Sequence, residues 1–281
     1  MNLTVSIVAP GNMGAAITRR LTENKASVLT SLAGRSAASV NRAREAGMRD
    51  VEERTLAEAE FLLSIVPPGD ALALAQRLAP MLTAANHKPA WVECNAVNPA
   101  TLRRIADVIA ATGCPFIGAA IIGPPPKPGS ANTKIYASGA PAPALAKLND
   151  YGLIVRVLAG ELTAASALKM SYAGITKGFT ALGAAMMLAA TRGGSAEALK
   201  AELAESQPAL LGYLTRQVPS MYGKAYRWVA ELDEIAAFVG DEREESAMLE
   251  AAARFYERIA ADVAGDKAEV GDMDRFFGKQ N

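Results

Sequence analysis

Over the first 160 positions, apolar residues gather into short runs separated by stretches in which they recur every three or four places. The runs at 3–8, 27–32, 48–51, 61–66, 90–94 and 115–117 are mostly rich in Val, Ile and Leu and bounded by Gly, Asn or Pro, the mark of buried strands. Strand and helix alternating at this spacing predict right-handed crossovers and an open parallel sheet, with ligands gathering beyond the carboxyl ends of the strands. Two further short strands are expected near 134–137 and 153–157. From Leu162 onward the period becomes helical. The segment 162–190 lacks proline, is rich in Ala, Leu and Met, and runs into Thr191-Arg192-Gly193-Gly194, which predicts one long helix with a glycine stop. Gly174, Gly178 and Gly183 inside it each cost about 1 kcal/mol against Ala, so close packing against another helix or a ligand is expected there. The segment 196–264 reads as amphipathic helices broken near Pro208, Pro219 and Gly240.

The first strand runs straight into Ala9-Pro10-Gly11-Asn12-Met13-Gly14 and then a helix. Gly11 and Gly14 fall where backbone must approach a pyrophosphate, and the amides that open the helix would hold the phosphates; Ala9 stands at the first glycine position of that fingerprint. The second strand leads to Gly34-Arg35-Ser36, with Arg35 at 35 − 14 = 21 residues beyond Gly14. An acid at that point binds the ribose 2′-hydroxyl of NAD, whereas a guanidinium followed by a hydroxyl suits a 2′-phosphate, so the cofactor expected is NADP(H). Other carboxyl-end segments are Val66-Pro67-Pro68, the run 95–99 beginning with Asn95, and 118–126, read as the loop after the sixth strand. The expected cofactor contacts are therefore Gly11, Asn12, Met13, Gly14, Arg35, Ser36, Val66, Pro67, Pro68 and Asn95. The fold class expected is α/β, with an N-terminal Rossmann-type parallel-sheet domain over 1–161. An all-α C-terminal domain over 162–281 follows, entered through a long interdomain helix.

A length of 281 residues with 51% hydrophobic content suits two such domains. Lys plus Arg and Asp plus Glu both total 29, which leaves no polybasic stripe or acidic tail and points away from nucleic acid or a membrane surface, toward a small-molecule partner. The first residues enter a strand directly, and the longest apolar stretches are interrupted by Gly, Lys or Pro, so a cytoplasmic protein without a membrane span is expected. Cys94 and Cys114 fall in or beside predicted core strands as reduced packing thiols, and no zinc-ligand spacing exists, so no metal is expected.

On the long helix, Lys169, Tyr172, Ala173, Thr176 and Lys177 recur at intervals of three and four on one face, expected to line the interdomain cleft. Read on residues alone, Lys169 is either an exposed helix lysine or a proton donor whose pKa burial and a neighbouring positive ring would lower. His87, the only histidine, precedes the fifth strand at the amino end of the sheet, away from the ligand crevice. Tyr172 and Lys177 are five apart, one more than the tyrosine-lysine spacing of short-chain dehydrogenases.

These motifs together resemble the β-hydroxyacid dehydrogenase superfamily, which includes 3-hydroxyisobutyrate and 6-phosphogluconate dehydrogenases. The carriers are Gly11-Asn12-Met13-Gly14, Gly34-Arg35-Ser36, Val66-Pro67-Pro68, the segment 118–123 and Ala167-Leu168-Lys169-Met170. Ala-Pro-Gly at the turn, Ile-Ile-Gly-Pro-Pro-Pro and Lys-Met-Ser-Tyr-Ala-Gly look like a poorly characterised branch whose C-terminal helical domain has no settled function. The resemblance implies an NAD(P)-binding domain, a helical domain that often mediates dimerisation, and Lys169 as proton donor. It places the substrate against Ile121, Ile122 and Gly123, with Tyr172 and Thr176 as candidates to orient it. Where the family carries an acid, a serine and an asparagine, this chain has Gly118, Ile122 and Ala173. An apolar side chain cannot bond a carboxylate, and a charge left unpaired in a closed site costs on the order of several kcal/mol, which points away from a simple 3-hydroxy acid. The implied activity is NADP(H)-dependent hydride transfer to or from a small hydroxy or keto compound. Imine reduction and a non-catalytic NADPH-binding sensor are the alternatives. A homodimer through the helical half is expected, because Met170, Met186 and Met187 add apolar surface to the glycine-bearing helix.

Overall fold

The computed structural model describes residues 3–240 and 242–278. The elements of the first part are β1 (Thr4–Val8), α1 (Asn12–Glu23), β2 (Ser27–Thr30), α2 (Ala37–Glu45), β3 (Arg49–Asp50), β4 (Phe61–Ser64) and α3 (Ala71–Ala84). They continue with β5 (Ala90–Glu93), α4 (Pro99–Ala110), β6 (Phe116–Ile122), β7 (Lys134–Ser138), α5 (Ala142–Leu145) and β8 (Val155–Val157). One sheet takes all eight strands in the order β3-β2-β1-β4-β5-β6-β7-β8. Strands β1 to β6 pair in parallel, β7 runs antiparallel to β6, and β8 lies parallel to β7. The strand order reverses between β1 and β4, so the crevice beyond their carboxyl ends is the topological switch point of this doubly wound sheet.

Alternation along the strands fills both faces. Phe61, Leu63 and Val92 pack with Ile7, Ile17 and Leu21 on one side, while Leu62 and Trp91 pack with Leu74, Leu78, Leu102 and Ile105 of α3 and α4 on the other. Helices on both faces explain why these strands read as continuous apolar runs.

One segment differs from the sequence expectation. Strand β6 does not end near residue 117 but continues through Ile122, because β7 returns beside it and pairs from Gly118 with Ser138 to Ile122 with Lys134. The residues 118–122 are therefore strand, not loop, and the connection that follows the sixth strand begins at Gly123.

The remaining elements are α6 (Ala164–Arg192), α7 (Ala196–Ser206), α8 (Pro208–Met221), α9 (Ala225–Val239), α10 (Ser246–Ala264) and α11 (Ala268–Phe276). Gly183 of α6 has Leu214 of α8 so near that a Cβ would lie 2.4 Å from its Cδ2, which is the close helix packing expected there. Pro219 does not break α8 as anticipated; it sits in the last turn, and a proline there forfeits one backbone bond while keeping a helical φ. By length and composition alone α6 is apolar enough to cross a membrane, unlike the expectation that every such stretch is interrupted. Its inward residues Ala173, Lys177, Ala181, Ala184, Met187 and Leu188 are buried within the chain. Two compact units divide at 170/171, inside α6, whereas the sequence boundary at 161/162 marks the approach to that helix.

Candidate functional site

At the switch point, β1 leaves the sheet through Ala9, whose φ of +72° is the left-handed conformation that the first glycine of the fingerprint normally supplies. Gly11 then caps α1 with φ −70°, and no side chain bonds the opening amides, nor does an acid stand in the first turn. A Cβ on Gly11 would meet nothing within 4 Å, so the space above it is open to a ligand. A Cβ on Gly14 would lie 2.7 Å from the Ala9 carbonyl oxygen; this glycine serves helix-to-strand packing. Asn12 is exposed in the first turn between them, while Met13 is half-buried against the core. Arg42 of α2, absent from the sequence expectation, donates from Nε to the Pro10 carbonyl (3.0 Å) and from Nη2 to Ser39 Oγ (3.0 Å), tying α2 to the glycine turn. Its period along α2 was legible, but the partner, 32 residues away, was not.

Beside that turn a cleft of about 970 Å³ opens at the ends of β2 and β3, lined among others by Val8, Ser31, Gly34, Arg35, Asp50 and Leu56. Its acids are engaged: Asp50 Oδ1 accepts from the Leu32 amide (3.0 Å), Glu52 pairs with Arg54 (2.8 Å) and Glu53 pairs with Arg77. The exposed Arg35 guanidinium faces this space. Ser36 caps α2, its Oγ accepting from the Ser39 amide (3.4 Å), so its hydroxyl already has a structural task.

The ends of β4 and β5 are joined by a buried polar network. Asn95 Oδ1 accepts from the Val66 amide (2.7 Å), and Asn95 Nδ2 donates to Ser64 Oγ (2.8 Å) and to Glu93 Oε1. Asn95, expected to touch cofactor, is 5% exposed and spends its amide holding the 66–68 segment. Pro67 is exposed and Pro68 opens a short 3₁₀ turn to Asp70. Glu93 is fully buried, accepts from Trp91 Nε1 (3.1 Å) and from the Asn95 amide (3.2 Å), and burial pushes its pKa up from 4.5 to about 7 against those bonds. Sequence reasoning passed over Glu93; the signal was a carboxylate in the otherwise apolar run Trp91-Val92-Glu93-Cys94.

Further along the carboxyl edge, the start of α6 is pinned to the sheet. Ser138 Oγ donates to the Leu162 carbonyl (2.7 Å) and accepts from the Ala165 amide (3.0 Å), and Ser166 Oγ donates to the Val97 carbonyl. Lys169, half-buried, donates from Nζ to the Ile121 carbonyl at 2.9 Å. The structure thus brings Lys169 to the end of β6. Ile121 presents its carbonyl there, since its side chain belongs to the core; Ile122 is half-buried and Gly123 exposed.

The other helix residues belong to the second unit. Tyr172 is half exposed, and Thr176 Oγ1 donates to the Tyr172 carbonyl (2.9 Å), a bond internal to the helix. Lys177 is buried at 7% exposure and paired with Glu231, its cation 5.6 Å from the Trp228 ring; burial lowers its pKa while Glu231 raises it. It is a core residue, although its spacing grouped it with Lys169. His87 lies exposed in its loop, its ring nitrogen 3.0 Å from the Ala59 carbonyl, and Cys94 and Cys114 are buried and unlinked.

Residues 4–151, more than half of the chain, match the model of the NAD binding domain of 6-phosphogluconate dehydrogenase, and residues 190–259 match a domain of unknown function, DUF1932. None of the curated proteins matches the chain in sequence. Among solved structures, the conserved protein MTH1747, described as similar to 3-hydroxyacid dehydrogenases, superposes with a TM-score of 0.73 at 28% identity over 93% of this chain and 98% of its own. The 3-hydroxyisobutyrate dehydrogenase of Mycobacterium tuberculosis, solved with L-serine, gives 0.74 at 16% identity over 97% and 99%. A reductive aminase from Aspergillus terreus, solved with NADPH and ethyl-5-oxohexanoate, gives 0.57 at 17% identity over 98% and 100%. The reversed strand order, the glycine turn and the matched residues lead to one conclusion: the chain belongs to the family of the 6-phosphogluconate dehydrogenase NAD-binding domain.

Proposed function

We propose that this protein is an NADP(H)-dependent oxidoreductase that moves a hydride between the nicotinamide and a small hydroxy or keto compound, with Lys169 as proton donor and acceptor. The observation that carries the reading is the Lys169 ammonium, 2.9 Å from the Ile121 carbonyl at the carboxyl edge of the sheet that also bears the glycine turn. The donor set fits a dinucleotide: open space above Gly11, uncapped amides at the start of α1, and Arg35 in the adjoining cleft. Gly11, Asn12 and Met13 would hold the pyrophosphate, Arg35 the 2′-phosphate, and Val66, Pro67 and Pro68 the nicotinamide side. When bound, the cofactor supplies or takes the hydride.

Reduction of a carbonyl also consumes a proton. Lys169 can release one from Nζ, and the Ile121 carbonyl steers that amine as its acceptor. Ile122 and Gly123 offer no cation to a carboxylate, which favours an uncharged or weakly acidic substrate, and imine reduction is the second reading on the same ground.

The test is a panel of hydroxy acids, alcohols and amines incubated with NADP⁺ and followed by absorbance of the reduced nicotinamide. On an active substrate Lys169→Ala should lower turnover roughly a hundred- to ten-thousandfold and leave NADPH affinity within about threefold, the cradle being elsewhere. Undiminished turnover in Lys169→Ala would overturn the mechanism. Silence across the panel with cofactor bound would favour the non-catalytic sensor.

A homodimer through the helical unit and a cytoplasmic location accompany this reading. Ile175, Phe179, Leu182 and Met186, 71%, 47%, 58% and 53% exposed, form one stripe along α6 that a second copy would cover. Of the methionines expected to form that surface, Met170 and Met187 lie in the core and Met186 alone is exposed, because the helical period turns the first two inward.

A further inference from the structure

The Glu93 network ends on a backbone amide of the nucleotide crevice. Trp91 Nε1 donates to Glu93 Oε2, while the Asn95 amide and Asn95 Nδ2 both donate to Oε1. Asn95 in turn offers its one carbonyl oxygen to the Val66 amide, fixing the segment that enters the crevice from β4. The Trp91 indole, the Asn95 amide and Asn95 Nδ2 can only donate to the carboxylate, and the Ser64 hydroxyl, which already accepts from Asn95, is the one facing group that could also accept. A proton or an amide nitrogen placed along any of the three N–H directions would confront a hydrogen, so all three of those bonds are kept only with an anion at 93.

We propose that Glu93 is a positioning residue for cofactor binding: as a carboxylate it locks the Asn95 amide, which holds Val66 and the following prolines in their binding geometry, and its protonation releases them. The proposal rests on the reading that NADP(H) binds at the carboxyl ends of β1 and β4. The surroundings make this a switch near neutrality. The buried faces of α3 and α4 are apolar, through residues such as Leu74, Leu78, Leu102 and Ile105, and Ser64 is the facing polar group on β4. Cys94, the titratable neighbour on the same strand, has its thiol pushed up by burial and by the Glu93 charge and stays neutral. Burial accordingly lifts Glu93 to about 7.

Two readouts on the full chain test this. Amide hydrogen exchange of the cofactor-free protein, corrected for the intrinsic pH dependence, should show Val66 protected at pH 8, exposed by acidification to pH 6, and exposed at both values in Glu93→Gln. NADP⁺ affinity should fall about tenfold from wild type to Glu93→Gln at pH 8, and the two proteins should converge at pH 6, where both lack the anion. That comparison cancels titration of the 2′-phosphate itself. Asn95→Ala cuts the chain one link later and should reproduce both effects without a pH dependence of its own, which keeps the test decisive if Glu93→Gln does not fold. Equal Val66 protection in wild type and both variants would overturn the proposal, as would equal NADP⁺ affinity. A wild type that binds no NADP⁺ would instead remove the nucleotide reading, whatever Val66 does.

Discussion

Two alanine substitutions, three residues apart, should separate what the glycine turn does for the fold from what it does for the ligand. At Gly14 a new Cβ would lie 2.7 Å from the Ala9 carbonyl oxygen and 3.4 Å from Ile7 Cγ2, and the first contact is with backbone, which cannot rotate away. Overpacking of this kind costs about 1–3 kcal/mol, and in a unit of this size about 2 kcal/mol lowers the melting temperature by roughly 4–8 °C. Gly11 is the reverse case. Its φ of −70° suits any residue and no atom lies within 4 Å of the new methyl, so Gly11→Ala should fold with stability within about 1 kcal/mol of wild type, on either side. The same methyl stands where the pyrophosphate must approach, and NADPH affinity should drop at least about tenfold, about 1.4 kcal/mol. Thermal denaturation and calorimetric titration of both variants make the comparison. A Gly14→Ala protein as stable as wild type, or a Gly11→Ala protein with undiminished affinity, would refute the division of roles.

Ala9→Gly relieves a left-handed alanine and should stabilise by about 0.5–1 kcal/mol in denaturant unfolding, the strain removed exceeding the chain entropy added; no gain would show that Ala9 sits there without cost. Lys177→Ala leaves Glu231 without its buried partner and should destabilise by about 3–5 kcal/mol, whereas Lys177→Met with Glu231→Leu should recover most of it; equal losses in the two would argue against the ion pair as the cause. Because Glu93 rises from 4.5 in the unfolded chain to about 7 in the folded one, its contribution to stability is full below pH 4.5 and is lost as pH climbs through 7. A wild-type stability slope in that window equal to the slope of Glu93→Gln would contradict the shift. Leu182→Glu should yield a 29.3 kDa species in sedimentation where wild type sediments as a dimer; a wild type that is itself monomeric at micromolar concentration would dispose of the dimer.

Most of the sheet was legible because doubly covered parallel strands are short, apolar and separated by helices, and each strand overlaps a stretch expected from apolar runs and punctuation, although β3 is only the exposed pair Arg49–Asp50 and β6 runs beyond its expected end. The extension of β6 through Ile122 was hidden because the antiparallel partner β7 is separated from it by eleven residues of proline-rich connection, and pairing across such a gap leaves no local period. Local spacing placed Lys169 and Lys177 on one face of the helix, but the burial of Lys177 depends on Glu231 and Trp228, more than fifty positions later. Asn95 stood out for its place at a strand end, but its bonds to Ser64 and Val66 were not legible, since these partners lie on the neighbouring strand and its exit. Arg42 escaped notice because it is defined by a partner 32 residues away, whereas Glu93 bonds to Trp91 and Asn95 two positions to either side and was signalled only by its charge in an apolar run.

Calorimetric titration with NADPH and NADH, in wild type and in Arg35→Ala, tests the central claim most directly. A charged hydrogen bond to the 2′-phosphate is worth about 1.5–3 kcal/mol, so wild type should bind NADPH on the order of ten- to a hundredfold more tightly than NADH, and Arg35→Ala should close most of that gap by weakening NADPH alone. Equal affinities in wild type, or a preference that survives the loss of Arg35, would contradict the account.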